Sequence, residues 1–507
     1  MTDVVVPEDG AECGLQKYDF PKGKTDDRLL YWSTYIIAAV LIIINVTRLF
    51  DYNFWGDEAY SILISRYTTE DIIIYARDVD SHPPIFNLML SFITAIFGQN
   101  VFAYHLTPFL PYVGIIILAL TFVRKNFGSL ATIIFMLLAT LLDSSFSFIP
   151  EVRMYELGAF LVLASYASLY YVLKDGSTKY YVLLVITSLI AAYTHYYCLM
   201  AVGFFYIGLF FYFVLRHDWK GFKGYFIAGL VTVIGYLPWM LRSTVQTVEK
   251  DTNKFWIQNE LSVSDCFLYM FDSDVSFLLF ILFILAIAFM LMNTSESRDR
   301  GDSEQRHESR CVMVWLGCGL LSVIGSIMFG VIISALTTPL IIERYIYPVS
   351  VIIWLLFSIG VSRISRNADR KFYFSLFVIA VLLFAGTANM YETMVEEHYE
   401  DESTREIIDL TYDYLSPGDT IVTNLDHMEK NLGGLYFPDL NIAYIDDETM
   451  VVPPMDHSHH YLLFLTRSMK VSDIMDQLAE QGYRAVFIKM GNFASMYNLM
   501  IYDLVEI

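Results

Sequence analysis

The chain has 507 residues, of which 56% are hydrophobic and 16% aromatic, and its mean hydropathy is +0.48. This composition is typical of a polytopic membrane protein and excludes an ordinary soluble enzyme. The formal net charge of −21 argues against nucleic acid as a partner, because binding to its phosphates needs a surplus of Lys and Arg.

The N-terminal segment, residues 1–28, is polar and lacks the basic start of a cleaved signal peptide. We therefore expect a cytoplasmic tail that leads into a retained first span. Further apolar runs of nearly ~20 residues, the length that crosses a ~30 Å hydrocarbon core, follow along the chain. They predict about eleven spans, at residues 29–50, 101–123, 129–149, 157–173, 180–194, 198–215, 224–241, 276–292, 312–335, 346–361 and 372–391.

The apolar run 85–98 decides the orientation of every later loop. It has only ~14 residues, which is short for a span. If it lies at the outer interface, the basic loops around Arg124, Lys174 and Arg216 face the cytoplasm, as does the charged segment 293–310, which reads as a flexible linker. We therefore predict a transmembrane domain over 29–391, with residues 51–100 as a first outer loop of juxtamembrane helices.

Ionisable and aromatic residues gather at the outer ends of these predicted spans. Charge beside a bilayer is costly and is usually retained for function. On this topology four chain segments converge on one membrane face. The residues are Asp57, Glu58 and His82 in the first outer loop, then Glu151, Arg153 and Tyr155, then His195, Tyr196 and Tyr197, and finally Glu343, Arg344 and Tyr345.

Several of these residues have a structural alternative. Asp57 could cap a helix, since Asp is a favoured N-cap, or serve with Glu58 as a carboxylate for general-base catalysis. Arg153 and Arg344 could anchor span ends in the interface or bind a phosphate through paired N–H donors. Pro83 and Pro84 fix a helix start and would aim His82 at the site. We favour the functional reading for the carboxylates and arginines, and leave His82 and His195 open.

The remainder, residues 392–507, has short strand-like runs at 420–423, 441–445, 461–465 and 485–489, and helical periodicity at 403–415 and 471–481. This alternation predicts a small extracytoplasmic α/β domain with a mainly parallel sheet. The five cysteines indicate no disulfide framework. Glu58, His82 and Glu151 lack a recognisable ligand spacing, so we predict no cofactor and no metal, with a divalent ion as an unsupported alternative.

In this order, the motifs resemble those of GT-C-fold membrane glycosyltransferases that use polyprenyl-phosphate sugars. The chain is similar to protein O-mannosyltransferases and to enzymes related to aminoarabinose transferases, most strongly over residues 54–106. One departure is that several relatives carry a basic residue beside the Pro-Pro pair, where this chain has Ser81 and Ile85. The motifs are Asp57-Glu58, His82-Pro83-Pro84, Glu151-x-Arg153-x-Tyr155, Thr194-His195-Tyr196 and Glu343-Arg344-Tyr345.

The resemblance implies an inverting transfer, hexosyl or pentosyl, from a dolichyl or undecaprenyl phosphate to a glycan, protein or lipid acceptor of the cell envelope. Asp57 corresponds to the presumed base, with Glu58 beside it. The departure at Ser81 and Ile85 leaves the donor phosphate more dependent on Arg344 and Arg153. The other residues expected to bind donor phosphate or substrate are His82, Tyr155, His195, Tyr196 and Glu343.

Two other classes of function remain open at this stage. A transporter would place ionisable residues near the bilayer midplane, in broken helices. A surface receptor or scaffold would act through the acidic C-terminal domain, but this reading leaves the charges at the span ends without a role.

Overall fold

The computed structural model describes residues 25–80, 82–249, 262–272, 275–300, 303–336, 341–366, 372–446, 449–466 and 471–507. Most of the predicted N-terminal tail, together with Cys13 and Ser81, therefore lies outside the described residues. The four described cysteines, Cys198, Cys266, Cys311 and Cys318, are free and buried.

The chain is a polytopic α-helical membrane protein, as its composition predicts. Each predicted span overlaps a helix of 13 residues or more. These are α1 (Thr25–Thr47), α5 (Val101–Leu118), α7 (Ser129–Leu141), α9 (Tyr155–Lys174), α10 (Thr178–Ala192), α11 (Tyr196–Leu215), α12 (Trp219–Glu249), α14 (Ser276–Arg300), α15 (Ser303–Leu336), α16 (Glu343–Arg366) and α17 (Phe372–Tyr414).

Within the described residues, eight helices are long and apolar enough to cross a membrane by length and composition. They include α1, α5, α9, α11, α12, α15, α16 and α17. The other three, α7, α10 and α14, contribute shorter apolar stretches. The figure of about eleven spans thus stays a prediction, whereas the helical membrane architecture is confirmed.

Two central helices, α9 and α16, organise the membrane region. The apolar stretch of α16 is 94% buried and that of α9 is 83% buried. They approach closely at Gly158, where an added Cβ would lie 2.8 Å from the Cys198 sulfur on α11 and 3.2 Å from the Pro348 ring on α16. A residue without a side chain permits such contact between membrane helices. The N-terminal ends of α9, α11 and α16 are thereby held near one another.

Short helices complete this region. The first outer loop contains α2 (Gly56–Ser65), α3 (Thr69–Asp78) and α4 (Ile85–Phe97). As predicted, the Pro-Pro pair stands at the start of α4, with Pro84 as its N-cap. The remaining short helices are α6 (Arg124–Phe127), α8 (Asp143–Phe148) and α13 (Val263–Tyr269).

Two features of the membrane region differ from expectation. The predicted span 129–149 is split, because α7 ends at Leu141 and Leu142 adopts an extended conformation before α8. The segment 293–310, predicted as a flexible linker, is helical up to Arg300 and again from Ser303. Its charged residues continue the helices that precede and follow it, because Glu, Arg and Gln have high helix propensity.

The C-terminal domain contains one five-stranded sheet in the order β2-β1-β3-β5-β4. Its strands are β1 (Thr420–Thr423), β2 (Asn441–Tyr444), β3 (Tyr461–Thr466), β4 (Tyr483–Phe493) and β5 (Tyr497–Glu506), with helices α18 (Gly433–Tyr436) and α19 (Val471–Glu480). The prediction of a mainly parallel sheet is wrong. β1 pairs in parallel with β2 and β3, but β5 pairs antiparallel with both β3 and β4. The short turn between β4 and β5 permits only an antiparallel hairpin.

Helix α17 runs without a break from Phe372 to Tyr414. Its first part is the last apolar span, and its second part packs against β4 of the sheet. The helix predicted at 403–415 is therefore the end of this longer helix. One rigid element thus connects the membrane region to the C-terminal domain, across the predicted boundary at residue 392.

Candidate active site

Asp57 lies in the first turn of α2. The helix begins at Gly56 with Trp55 as its N-cap, so Asp57 is not the capping residue. Its Oδ2 lies 3.2 Å from Nη1 of Arg344 and 3.8 Å from Nη2 of Arg153. The Asp57 side chain remains 25% exposed. The structure therefore brings one carboxylate and two guanidinium groups together from three distant segments.

Arg153 is the more buried of the two arginines, with 6% exposure. Its Nη1 donates to the Asp57 carbonyl oxygen at 3.1 Å and to the Ser61 hydroxyl at 3.0 Å, whereas its Nε has no hydrogen-bond partner among the described residues. Burial opposes its charge, but the carboxylate of Asp57 raises the pKa of Arg153 above the ordinary arginine value. Arg153 therefore presents a permanent, incompletely satisfied positive charge.

Arg344 begins α16 and is 22% exposed. Its guanidinium carbon lies 5.3 Å from the centre of the Trp55 ring, within cation–π range. The aromatic face and the Asp57 carboxylate together orient its planar fork. Trp55 was not among the predicted site residues, although its position two residues before Asp57 was a signal for it.

Glu58 has a different environment from its neighbour Asp57. It is only 4% exposed, and its two carboxyl oxygens accept hydrogen bonds from the backbone N–H groups of Trp55 (3.2 Å) and Val152 (2.7 Å). Burial, followed by the charge of Glu151, raises its pKa to about 8. Glu58 therefore connects the start of α2 to the loop that carries Arg153. These contacts indicate a structural role for Glu58, and its predicted catalytic role stays a prediction.

Removal of the Glu58 carboxyl is expected to destabilise the protein. Glu58→Ala would leave the N–H groups of Trp55 and Val152 without their acceptor, at a cost of about 1–3 kcal/mol in the free energy of unfolding. Glu343→Ala is the matched control, because Glu343 is exposed. Thermal unfolding of the purified proteins measures both. Equal melting temperatures for Glu58→Ala and wild type would contradict the structural role.

Glu151 is the third carboxyl of the site. Burial raises its pKa to about 7, although the charges of Arg153 and Arg344 lower it. It lies in the short segment between α8 and α9. The site therefore contains an acidic group that titrates near neutral pH, beside the two arginines.

Histidines and tyrosines form a cluster next to the arginines. The His82 and His195 rings are 5.9 Å apart and nearly parallel, and the Tyr345 ring lies 5.0 Å from His195. Burial, followed by the charge of His82, lowers the pKa of His195 well below its usual value, so its imidazole is neutral. The Tyr155 ring lies 5.9 Å from His195, and its buried hydroxyl lacks a hydrogen-bond partner among the described residues.

His82 is held by Asp80, a residue not predicted in the site. The backbone N–H of His82 and its ring Nδ1 each lie 3.2 Å from Oδ1 of Asp80. Burial favours the protonated acid, but the hydrogen bonds and charge of His82 outweigh this effect, and the pKa of Asp80 is lowered. The Asp80-x-His82 spacing was the available signal.

Two predicted residues have their described contacts with other side chains. Tyr196 is half-buried and neighbours Trp239 on α12. Glu343 is exposed, and its charge helps to raise the pKa of Asp272 to about 6, after burial and Asp143. The structure thus brings together Asp57, Arg153, Arg344, His82, His195 and Tyr155. Among the described residues no group of three His, Cys, Asp or Glu side chains is arranged to hold a metal ion.

Comparison with solved structures identifies the fold. The chain superposes on ArnT from Cupriavidus metallidurans in the apo state with a TM-score of 0.60 and 13% identity, covering 94% of this chain and 98% of that one. For the same protein bound to undecaprenyl phosphate the TM-score is 0.58 and the identity 15%, with 93% and 98% covered. No protein-family model and no curated protein sequence matches the chain. The chain has the GT-C fold that its motifs resembled.

Proposed function

We propose that the protein is an inverting glycosyltransferase that moves a sugar from a polyprenyl phosphate to an acceptor at the outer membrane face. One observation carries this proposal, namely the convergence of the Asp57 carboxylate with Arg344 at 3.2 Å and Arg153 at 3.8 Å. A carboxylate and two arginines are the groups needed to accept a proton and to stabilise a departing phosphate.

The fold supports a lipid-linked donor. ArnT, on which almost the whole chain superposes, has a structure with undecaprenyl phosphate bound. The candidate site of this chain lies at the outer ends of α9, α11 and α16, where a phosphate can meet the arginines while its polyprenyl chain stays in the bilayer. The aromatic side chains of Tyr155 and Tyr345 would provide apolar surface beside that phosphate.

In the proposed reaction the acceptor hydroxyl attacks the anomeric carbon of the donor sugar. Its proton passes to a carboxylate oxygen of Asp57 as the new C–O bond forms. The bond between the anomeric carbon and the phosphate oxygen breaks on the opposite face, and polyprenyl phosphate leaves with that electron pair. Arg344 and Arg153 stabilise the charge that develops on the phosphate. No covalent intermediate is required.

The ion pairs suggest how donor binding prepares the base. Asp57 forms ion pairs with both Arg344 and Arg153. A donor phosphate would offer both guanidinium groups several charge-assisted hydrogen bonds and would compete with the carboxylate for them. Donor binding would thereby release Asp57 to accept a proton from the incoming hydroxyl.

The assay that tests this function is sugar transfer itself. Purified protein is incubated with a membrane extract and a panel of radiolabelled hexosyl and pentosyl polyprenyl phosphates. We expect one of these donors to lose its sugar to an acceptor only when the protein is present. A transporter or a surface receptor would leave every donor intact, and that outcome would rule out the transferase.

The orientation of the protein in the membrane is a separate prediction. Lys179 in the first turn of α10 is predicted to face the cytoplasm, and Ser458 in the C-terminal domain is predicted to lie outside. Both are exposed, and the described cysteines are buried. In a Cys13→Ser background, an impermeant thiol reagent should label Ser458→Cys but not Lys179→Cys in intact cells, and both after permeabilisation. The reverse pattern would mean that residues 85–98 cross the membrane.

A further inference from the structure

The segment that leads into α2, residues 51–56, is held by the C-terminal domain as well as by His105 of α5, which lies 2.8 Å from the Asp51 carbonyl oxygen and stacks on Phe54. Tyr436 of α18 is its most direct contact. The Tyr436 hydroxyl accepts a hydrogen bond from the Phe54 N–H at 2.6 Å and lies 3.2–3.3 Å from the carbonyl oxygens of Phe54 and Tyr52. Tyr436 and Phe54 are both buried, with 4% and 1% exposure. Water therefore cannot replace these bonds without rearrangement.

A second contact lies one residue before Asp57. The side-chain amide of Asn431 donates to the Gly56 carbonyl oxygen at 3.1 Å. The His427 ring packs so closely on Gly56 that an added Cβ would lie 2.3 Å from its Nδ1. The start of α2 is therefore held at Gly56 by a hydrogen bond and by the close packing of an imidazole ring.

The outer part of α17 supplies a third set of contacts. Asp401 accepts a hydrogen bond from the Tyr52 N–H at 2.6 Å, and the Thr404 hydroxyl donates to the Asn53 side chain at 2.9 Å. Thr404 also accepts from the Ala494 N–H at 3.1 Å, which connects the segment to the β4–β5 turn. The segment and the sheet are thus parts of one hydrogen-bonded assembly.

The arginines and the carboxylate of the candidate site are therefore held by different parts of the protein. Arg153 and Arg344 stand at the ends of the membrane helices α9 and α16. Asp57 follows a segment that the C-terminal domain holds. The distance between base and phosphate depends on both supports, and a misplacement of about 1 Å can cost up to ~10²-fold in rate.

We propose that Tyr436 and Asn431 are positioning residues, through which the C-terminal domain sets Asp57 against the donor site. This inference rests on the proposed function. It gives the C-terminal domain a role in the reaction itself, without contact between that domain and the anomeric carbon. The donor phosphate contacts come from other elements and should be spared when the positioning contacts are lost.

The kinetic test uses Tyr436→Phe and Asn431→Ala in the full-length protein. We expect kcat to fall by about tenfold or more, with KM for the donor and affinity for polyprenyl phosphate within about twofold of wild type. Tyr461→Phe and Asn424→Ala are the matched controls, because among the described residues their side chains bond within the domain, to Asp456 and Thr466. The controls should keep the wild-type kcat.

A double variant separates positioning from general damage. In the Asp57→Asn background, Tyr436→Phe should lower the residual rate no further, because it acts through the group already removed. A further tenfold loss in that background would overturn the inference, as would a wild-type kcat for Tyr436→Phe.

Hydrogen exchange tests the same contact without reference to activity. In the full-length protein, amides of residues 52–58 should exchange faster in Tyr436→Phe than in wild type or Tyr461→Phe. Unchanged exchange would contradict the positioning role even if transfer were confirmed. If no donor lost its sugar but amide exchange at residues 52–58 accelerated in Tyr436→Phe, the proposed function would be wrong. The structural role of Tyr436 at the start of α2 would still be supported.

Discussion

Asp57→Asn is expected to abolish sugar transfer while the donor still binds. The amide has nearly the shape of the carboxylate but cannot accept the proton of the acceptor hydroxyl. General-base catalysis contributes about 10²–10⁴-fold, so turnover should fall by at least ~10²-fold. Because α2 is capped by Trp55 and not by Asp57, the helix start should survive the substitution.

A second effect is expected on the affinity of Asp57→Asn for polyprenyl phosphate. Asp57 forms ion pairs with both Arg344 and Arg153. Its neutralisation removes a competitor for both guanidinium groups, so polyprenyl phosphate should bind Asp57→Asn at least as tightly as wild type. A merely structural carboxylate would give weaker binding, since its loss would disorder the arginines.

Transfer assays and titration of polyprenyl phosphate measure the two effects. Glu70→Gln provides the control, because Glu70 is an exposed carboxylate of the same outer loop, on α3. It should match wild type in both measurements. Near wild-type transfer by purified Asp57→Asn would show that the base has been assigned to the wrong residue.

The set of site residues was largely predictable, because each lies at the outer end of a span. Charged side chains at the ends of spans avoid the lipid, and those on one membrane face therefore tend to line a shared polar cavity. The sequence therefore indicated that Asp57, Arg153 and Arg344 would converge. Their exact partners were not predictable from the same information.

Neighbours in sequence are a poor guide to partners on a helix. Glu343 was expected to bind donor phosphate or substrate beside Arg344, and Glu58 to act beside Asp57. Consecutive helical residues point about 100° apart, so they do not face each other. Arg344 pairs with Asp57 from a distant segment, while Glu58 points to the backbone of Trp55 and Val152.

The C-terminal domain was harder to predict than the membrane region. Span recognition needs only apolar length, whereas strand pairing depends on contacts that short runs do not specify. The strand β5 was missed because half-buried and exposed residues such as Asp503 and Glu506 interrupt its apolar residues. The contacts of Tyr436 with Phe54 join residues far apart in sequence, and no local pattern marks them.

Arg344→Lys is expected to fail as a conservative replacement. Arginine presents several N–H donors in a planar fork that matches a phosphate, whereas lysine offers one compact ammonium. In the structure the Arg344 fork is oriented by the Asp57 carboxylate at 3.2 Å and by the Trp55 ring at 5.3 Å. A flexible ammonium would keep the charge but lose this orientation.

The competing role for Arg344 is that of an interfacial anchor at the start of α16. An anchor needs only a positive charge near the lipid headgroups, which lysine supplies equally well. Phosphate binding instead predicts about tenfold or greater loss of affinity for polyprenyl phosphate, the effect of one charge-assisted hydrogen bond, together with slower transfer. Arg66→Lys is the matched control, because Arg66 is an exposed arginine at the end of α2. Titration of polyprenyl phosphate into the three proteins distinguishes the roles, and wild-type affinity with wild-type turnover in Arg344→Lys would remove this residue from the donor site.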